Sequence, residues 1–228
     1  PFYEKEAERM MRAGEYPNQL HNNCSGKHAA MLAFAKHIDA DLASYEAVDH
    51  PVQRAILTAV SQFAEIPEDE IALAIDGCAA PNFALPIHAM ARSFLNLIST
   101  PETIDEPARS AAGRIVSAMR KFPELIGGSE RLDTMLMQAA DGRIVSKVGA
   151  DGVWLCGVLP SEEWPTGLGI ALKVEDGDDK RARPVVAVEA LRQLGILSDA
   201  ELTDVSPMPQ KNRNGDLVGQ VTAAITLG

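Results

Sequence analysis

The sequence predicts an α+β protein in which an antiparallel sheet with a C-terminal helix joins a helical lobe. Three observations carry this. Up to residue 122, apolar side chains recur every three or four positions, the period of helices buried on one face. After Gly127-Gly128 the pattern changes to β-favouring runs at 143–148, 153–159 and 167–174. Only short, glycine-containing turns separate these runs, so the strands pair antiparallel. The change divides the chain into a mainly helical lobe, 1–126, and a sheet with its C-terminal helix, 127–228, packed together as one unit.

In order, residues 4–13 form a short polar helix stopped by Gly14, and Tyr16-Pro17-Asn18 is a turn. Asn22 or Asn23 caps a helix running to Lys36, whose Met31, Leu32, Ala33, Phe34 and Ala35 are apolar on every side, as a central helix requires. Val52, Ile56, Val60 and Phe63 set one apolar stripe on a second helix, which Pro67 ends or lies just beyond. Residues 71–75 alternate weakly and stop at Asp76-Gly77-Cys78, where Ala79, Ala80 and Pro81 mark a close turn. Helix 86–98, loop 101–107 and amphipathic helix 107–121 follow, the last burying Ala111, Ile115, Ala118 and Phe122. A helix through 134–140 leads into the three strands. Asp178-Asp179-Lys180 breaks the sheet before helix 184–194, which has Pro184 in its first turn and Gly195 past its end. A last apolar run, 217–227, adds one strand.

Composition narrows the function. At 228 residues and 46% hydrophobic, the chain buries a sizeable core. Its 32 acids against 21 bases give a net charge of -11, with no block of Lys and Arg to track a phosphate backbone, which excludes nucleic acid as a partner. Asp76, Asn82 and His88 interrupt the most apolar region, 71–97, so no segment reaches the roughly 20 apolar residues that span a bilayer, and no membrane partner is expected. Three cysteines, Cys24, Cys78 and Cys156, are an odd number and point to reduced thiols or metal ligands in the cytoplasm. The chain opens at Pro1 with neither an initiator Met nor a signal pattern, so further sequence is expected upstream.

The densest chemistry lies in His21-Asn22-Asn23-Cys24-Ser25-Gly26-Lys27-His28, where a polar loop becomes a helix. With the helix starting near Ser25, Cys24, Lys27 and His28 project together, and the helix N-terminus favours a thiolate as nucleophile or metal ligand. The same residues also read as a structural Cys beside an exposed Lys, since C-x-x-K-H matches no standard zinc pattern. In Asp76-Gly77-Cys78, a second soft ligand sits two residues from a carboxylate, or Asp76 simply caps the turn. Lys147, at the end of a strand and followed by Val148-Gly149-Ala150-Asp151-Gly152, is similar to the K-T-G strand of penicillin-recognising enzymes, where an amine lines the site beside a serine. By itself it reads as an exposed strand lysine. His37, His50 and His88 have no partner at a recognisable spacing and read as structural.

Taken together, residues 21–28, Asp76-Gly77-Cys78 followed by Phe83-Ala84-Leu85-Pro86, and Lys147-Val148-Gly149-Ala150-Asp151-Gly152 resemble the Rhizobium-type (class 3) L-asparaginases, the asparaginase II family, from Pro17 to the end. That resemblance implies a serine β-lactamase-like fold, hydrolysis of L-asparagine to L-aspartate and ammonia, a zinc ion near the active site and a homodimer. It assigns Cys24, Lys27 and Cys78 to the zinc. Lys147 and Asp76 become catalytic groups, and His28 and Asn23 contact the ligands or substrate. Lysine is an unusual ligand, because deprotonating it at neutral pH costs about 4 to 5 kcal/mol from its ordinary pKa. The family's S-x-x-K, with its nucleophilic serine, occurs nowhere in these 228 residues. Either it lies upstream of Pro1 or the chain is a relative without that machinery. Two other readings stay open: a cysteine amidohydrolase with Cys24 as nucleophile and His28 as base, and a non-catalytic small-molecule-binding module.

Overall fold

The computed structural model describes residues 3–203, 205 and 208–228. Pro1, where the sequence begins, lies outside the described residues. The chain forms two compact units, Pro1–Gln62 with Ile66–Leu85, and Phe63–Glu65 with Pro86–Gly228. Helices and small antiparallel sheets make up both, which gives the expected mixed α+β class.

The first unit opens with α1 (Glu4–Ala13), which stops at Gly14 because this residue takes a left-handed conformation, φ 67°, and returns its N–H to the last turn of the helix. Helix α2 (Ser25–His37) follows a single 3-10 turn, Gln19–His21, and α3 (Pro51–Ala64) follows a loop. His50 heads α3: its Nδ1 accepts from the Val52 N–H at 3.2 Å, and its Nε2 meets Asp41 O at 3.0 Å, as a structural histidine should. Strands β1 (Ala72–Ile75) and β2 (Pro81–Ala84) pair as a hairpin, with Ala72 opposite Ala84 and Ile75 opposite Pro81. The sequence pattern carries no sign of β2, whose four residues include a proline. Helix α2 is not apolar-packed on every side. Its buried residues Met31 and Ala35, one turn apart, form a single stripe against Val52 and Ala80, while Phe34 is 37% exposed.

In the second unit, α4 (Ile87–Ile98), α5 (Glu106–Lys121), α6 (Pro123–Gly127) and α7 (Leu132–Ala139) precede β3 (Ile144–Val148), β4 (Val153–Val158) and β5 (Leu168–Lys173). The three strands form one antiparallel sheet in that order, as their short connections require. Helix α4 lies close across β4 and β5 because glycines face it. A Cβ at Gly169 would stand 2.0 Å from Ala91 O, and one at Gly157 2.7 Å from Ile98 Cγ2. Helix α8 (Ala182–Gln193) contributes Val188 and Leu191 to the core that also holds Leu136, Val145, Trp154 and Cys156. A separate hairpin, β6 (Met208–Lys211) with β7 (Leu217–Val221), realises only the first part of the expected 217–227 strand.

Helix α5 is turned by one residue from the sequence expectation. It buries Ala112, Val116 and Met119, whereas Ile115 is 50% and Phe122 42% exposed. Two adjacent apolar stripes run along this helix, and periodicity alone does not choose between stripes about 100° apart.

Candidate active site and metal centre

Two short backbone devices in the first unit assemble the cluster. In the loop before α2, Asn22 Oδ1 accepts from the Cys24 N–H at 2.8 Å and Asn22 O accepts from the Ser25 N–H at 3.0 Å, which turns the chain into the helix. Cys24 is the N-cap residue, although its side chain makes no capping bond. Cys24 O accepts from the His28 N–H at 3.0 Å, so Lys27 and His28 sit in the first turn. Between β1 and β2, Asp76 Oδ1 accepts from the Cys78 N–H at 2.8 Å and the Ala80 N–H at 3.1 Å, and Ala79 takes a positive φ of 69°. The remaining carboxylate oxygen, Oδ2, receives Lys27 Nζ at 2.6 Å. Asp76 therefore caps the turn and also pairs with the amine.

The electrostatics follow from this arrangement. Burial is the strongest influence on Asp76 and acts to raise its pKa, but the Lys27 hydrogen bond and the backbone N–H groups of Cys78 and Ala80 outweigh it and hold the carboxyl below its ordinary range. For Lys27, burial again acts first and pulls the pKa down. The hydrogen bond and charge of Asp76, with the two thiols, reverse this and raise it. The neighbouring Cys24 thiol, burial and the Asp76 charge push the Cys78 pKa up against the pull of Lys27. All three cysteines are free thiols.

Two adjoining thiols, an amine and a carboxylate thus converge, and Cys78 Sγ lies 4.0 Å from Asn22 Oδ1. Among the described residues no group of three or more His, Cys, Asp and Glu is placed to hold a metal. The donor set fits a soft divalent ion only when Lys27 supplies the third donor as a neutral amine, released from Asp76. Beside the cluster a cavity of about 450 Å³ is lined by Lys27, Met31, Phe34, Gln53, Asp76 and Phe83, among others.

His28 is turned toward Tyr45. Its Nδ1 is 2.6 Å from the Tyr45 hydroxyl, which donates to Glu46 Oε1 at 2.9 Å. With the hydroxyl proton committed to Glu46, Nδ1 is the donor, and the buried Nε2 has no partner. Asn23 is exposed on the loop, and the side chain that reaches the cluster is its neighbour, Asn22. Tyr45 and Glu46 carry no sequence signal, because the loop that brings them to α2 has no motif, and Gln53 in the first turn of α3 has none either. Gln53 is 2% exposed; its Nε2 donates to Tyr45 O at 2.8 Å while its Oε1 is left unpaired.

Lys147 belongs to the second unit. It is the exposed residue of β3 after three fully buried ones, Ile144, Val145 and Ser146, and its Nζ donates to Val148 O at 2.6 Å.

The family model of L-asparaginase II matches residues 1–223, nearly the whole chain and all three motifs. The chain belongs to the L-asparaginase II family. Its motif resemblance to asparaginase II is confirmed on that scale, and an amidohydrolase activity is what such membership supports. No curated protein matches the chain. Among the described residues, no helix is long and apolar enough to cross a membrane.

Proposed function

We propose that the protein is an L-asparagine amidohydrolase, releasing L-aspartate and ammonia by a Ser-Lys mechanism beside a zinc ion in a serine β-lactamase-like fold. The observation that carries this reading is the convergence of Cys24, Lys27, Asp76 and Cys78 within a chain of the L-asparaginase II family. Cys24, Cys78 and Lys27 would hold the zinc. When bound, the ion supplies a Lewis acid that orients substrate or polarises its amide carbonyl. Asp76 keeps the Cys78 turn in place through its backbone bonds and gives Lys27 a partner when the amine is charged. Lys147, as a neutral amine, shares proton transfer with the lysine of the S-x-x-K that carries the nucleophilic serine: the proton of the attacking hydroxyl is taken up and returned to the departing ammonia, and water then resolves the acyl-enzyme. No S-x-x-K occurs in these 228 residues, so the mechanism takes its nucleophile from outside this sequence. A homodimer in the cytoplasm belongs to the same proposal.

The cysteine-nucleophile reading finds less support. His28 Nδ1 is committed to Tyr45, and its buried Nε2 has no hydrogen-bond partner, so neither ring nitrogen is bonded to the Cys24 thiol. The test is ammonia release from L-asparagine by the complete enzyme. Lys147→Ala is expected to lower kcat at least about 100-fold, the usual worth of a positioned acid-base group. Thiol alkylation that abolished turnover after metal removal had left it intact would transfer the chemistry to Cys24.

A further inference from the structure

The strand that carries Lys147 is fastened from both sides by buried polar groups that the mechanism above does not use. On α7, Asp133 is 1% exposed. Its Oδ1 accepts from Ser146 Oγ at 2.6 Å and its Oδ2 accepts from the Val148 N–H at 2.9 Å, so its two oxygens hold the residues on either side of Lys147. Ser146 Oγ in turn accepts from Trp154 Nε1 at 2.8 Å, and both side chains are fully buried.

Strand register explains why Asp133 is needed there. The Leu159 N–H donates to Arg143 O and the Gly149 N–H to Val153 O, each at 2.9 Å, which turns the odd-numbered backbone groups of β3 toward β4. The Val148 N–H therefore points off the free edge of the sheet, where a buried donor needs an acceptor from elsewhere. Immediately beyond, Arg183 Nη1 donates to Gly149 O at 2.7 Å and pairs with Asp179, whose Oδ1 also accepts from the Gly152 N–H at 2.8 Å. Backbone groups of Val148, Gly149 and Gly152 are thus held, while the Lys147 side chain itself stands exposed.

A neutral amide would occupy the same position at a smaller desolvation cost than a buried carboxylate whose two partners here, a hydroxyl and a backbone amide, are uncharged. What the carboxylate adds is two strong acceptors in one rigid group, placed astride a single residue. We infer that Asp133 is a positioning residue for Lys147, acting through Ser146 and the Val148 amide to fix the point from which the amine reaches substrate. This rests on the reading of Lys147 as the proton-transferring group.

The experiment uses the complete asparaginase that contains this chain, with Lys147→Ala, Asp133→Asn, Ser146→Ala and the double variant Asp133→Asn/Lys147→Ala. Asp133→Asn is expected to lower kcat at least about 10-fold with KM changed less than about 3-fold, as a misplaced catalytic group does. In the Lys147→Ala background the same substitution should lower the residual kcat by less than about 2-fold, because the group it positions is gone. Ser146→Ala keeps the Val148 bond and should show a smaller kcat loss of the same kind, which carries the test if Asp133→Asn folds poorly. An equal loss in both backgrounds, or an Asp133→Asn enzyme with wild-type kcat, overturns the inference and leaves Lys147 in its role. A fully active Lys147→Ala enzyme overturns the role of Lys147 first and the inference with it.

Discussion

Asp76 shows how one side chain serves structure and chemistry through different atoms. Oδ1 closes the β1–β2 turn through two backbone N–H groups, and Oδ2 meets Lys27. Asp76→Asn can keep the turn bonds and lose only the charge, so its unfolding free energy should stay within about 1 kcal/mol of wild type. Asp76→Ala leaves both turn donors without their acceptor and should cost about 1 to 3 kcal/mol. Urea denaturation of the metal-free protein distinguishes the two, and equal losses would mean that the ion pair rather than the turn holds the hairpin. The cluster residues were legible in sequence because Cys24, Lys27 and His28 follow helical spacing and Asp76-Gly77-Cys78 has a turn signature. The orientation of His28 was not, since Tyr45 and Glu46 reach it from a loop whose path no local pattern encodes.

At the scale of elements, packing rather than propensity sets the tolerance to change. Gly169→Ala would drive a methyl into the Ala91 carbonyl of α4, and Gly157→Ala into Ile98 and Val145. Each should destabilise by about 1 to 3 kcal/mol or more, the usual cost of overpacking. Gly113 lies in α5, where an added methyl would meet nothing within 4 Å, and Gly113→Ala should instead stabilise by about 0.4 to 1 kcal/mol. Thermal unfolding of the three variants checks both signs. Helix α8 makes a pH prediction. Hydrogen bonds from Arg192 and then Gln193 hold the Glu189 carboxyl down at about 2, and Gln193 also binds Ile225 O and the Leu227 N–H at 2.8 Å each. A lowered folded pKa means that this contribution is complete above the ordinary Glu range and is lost as pH falls toward 2. Glu189→Gln should therefore flatten the stability profile over that acid window, and an unchanged slope would show that the bonds from Arg192 and Gln193 to Glu189 add nothing to stability. The strands β3 to β5 and their antiparallel order were legible, because turn length leaves no alternative. The buried face of α5 was not: two neighbouring apolar stripes compete for the core, and only the tertiary partner selects Ala112, Val116 and Met119.

Across the whole molecule, the proposed chemistry is carried by two units with different demands. The donors assigned to zinc, Cys24, Lys27 and Cys78, all belong to the first unit, and Lys147 with its Asp133 brace belongs to the second. Metal binding needs only that α2 and the β1–β2 turn meet, and the Lys27–Asp76 bond is evidence of that meeting within this sequence. Turnover needs in addition a nucleophilic serine with its lysine, for which no S-x-x-K is present in the 228 residues. The two properties should therefore separate. The 228-residue polypeptide, expressed with ample zinc, is expected to hold about one zinc per chain if Cys24, Cys78 and a neutral Lys27 are its ligands as proposed. Cys24→Ser and Cys78→Ser should each lose most of that metal, since a hydroxyl replaces a soft thiolate donor. The same polypeptide should release no ammonia from L-asparagine. Metal analysis and an ammonia assay on one preparation decide the matter: absence of zinc removes the metal assignment, whereas robust turnover places the nucleophile inside this sequence and restores Cys24 as its first candidate.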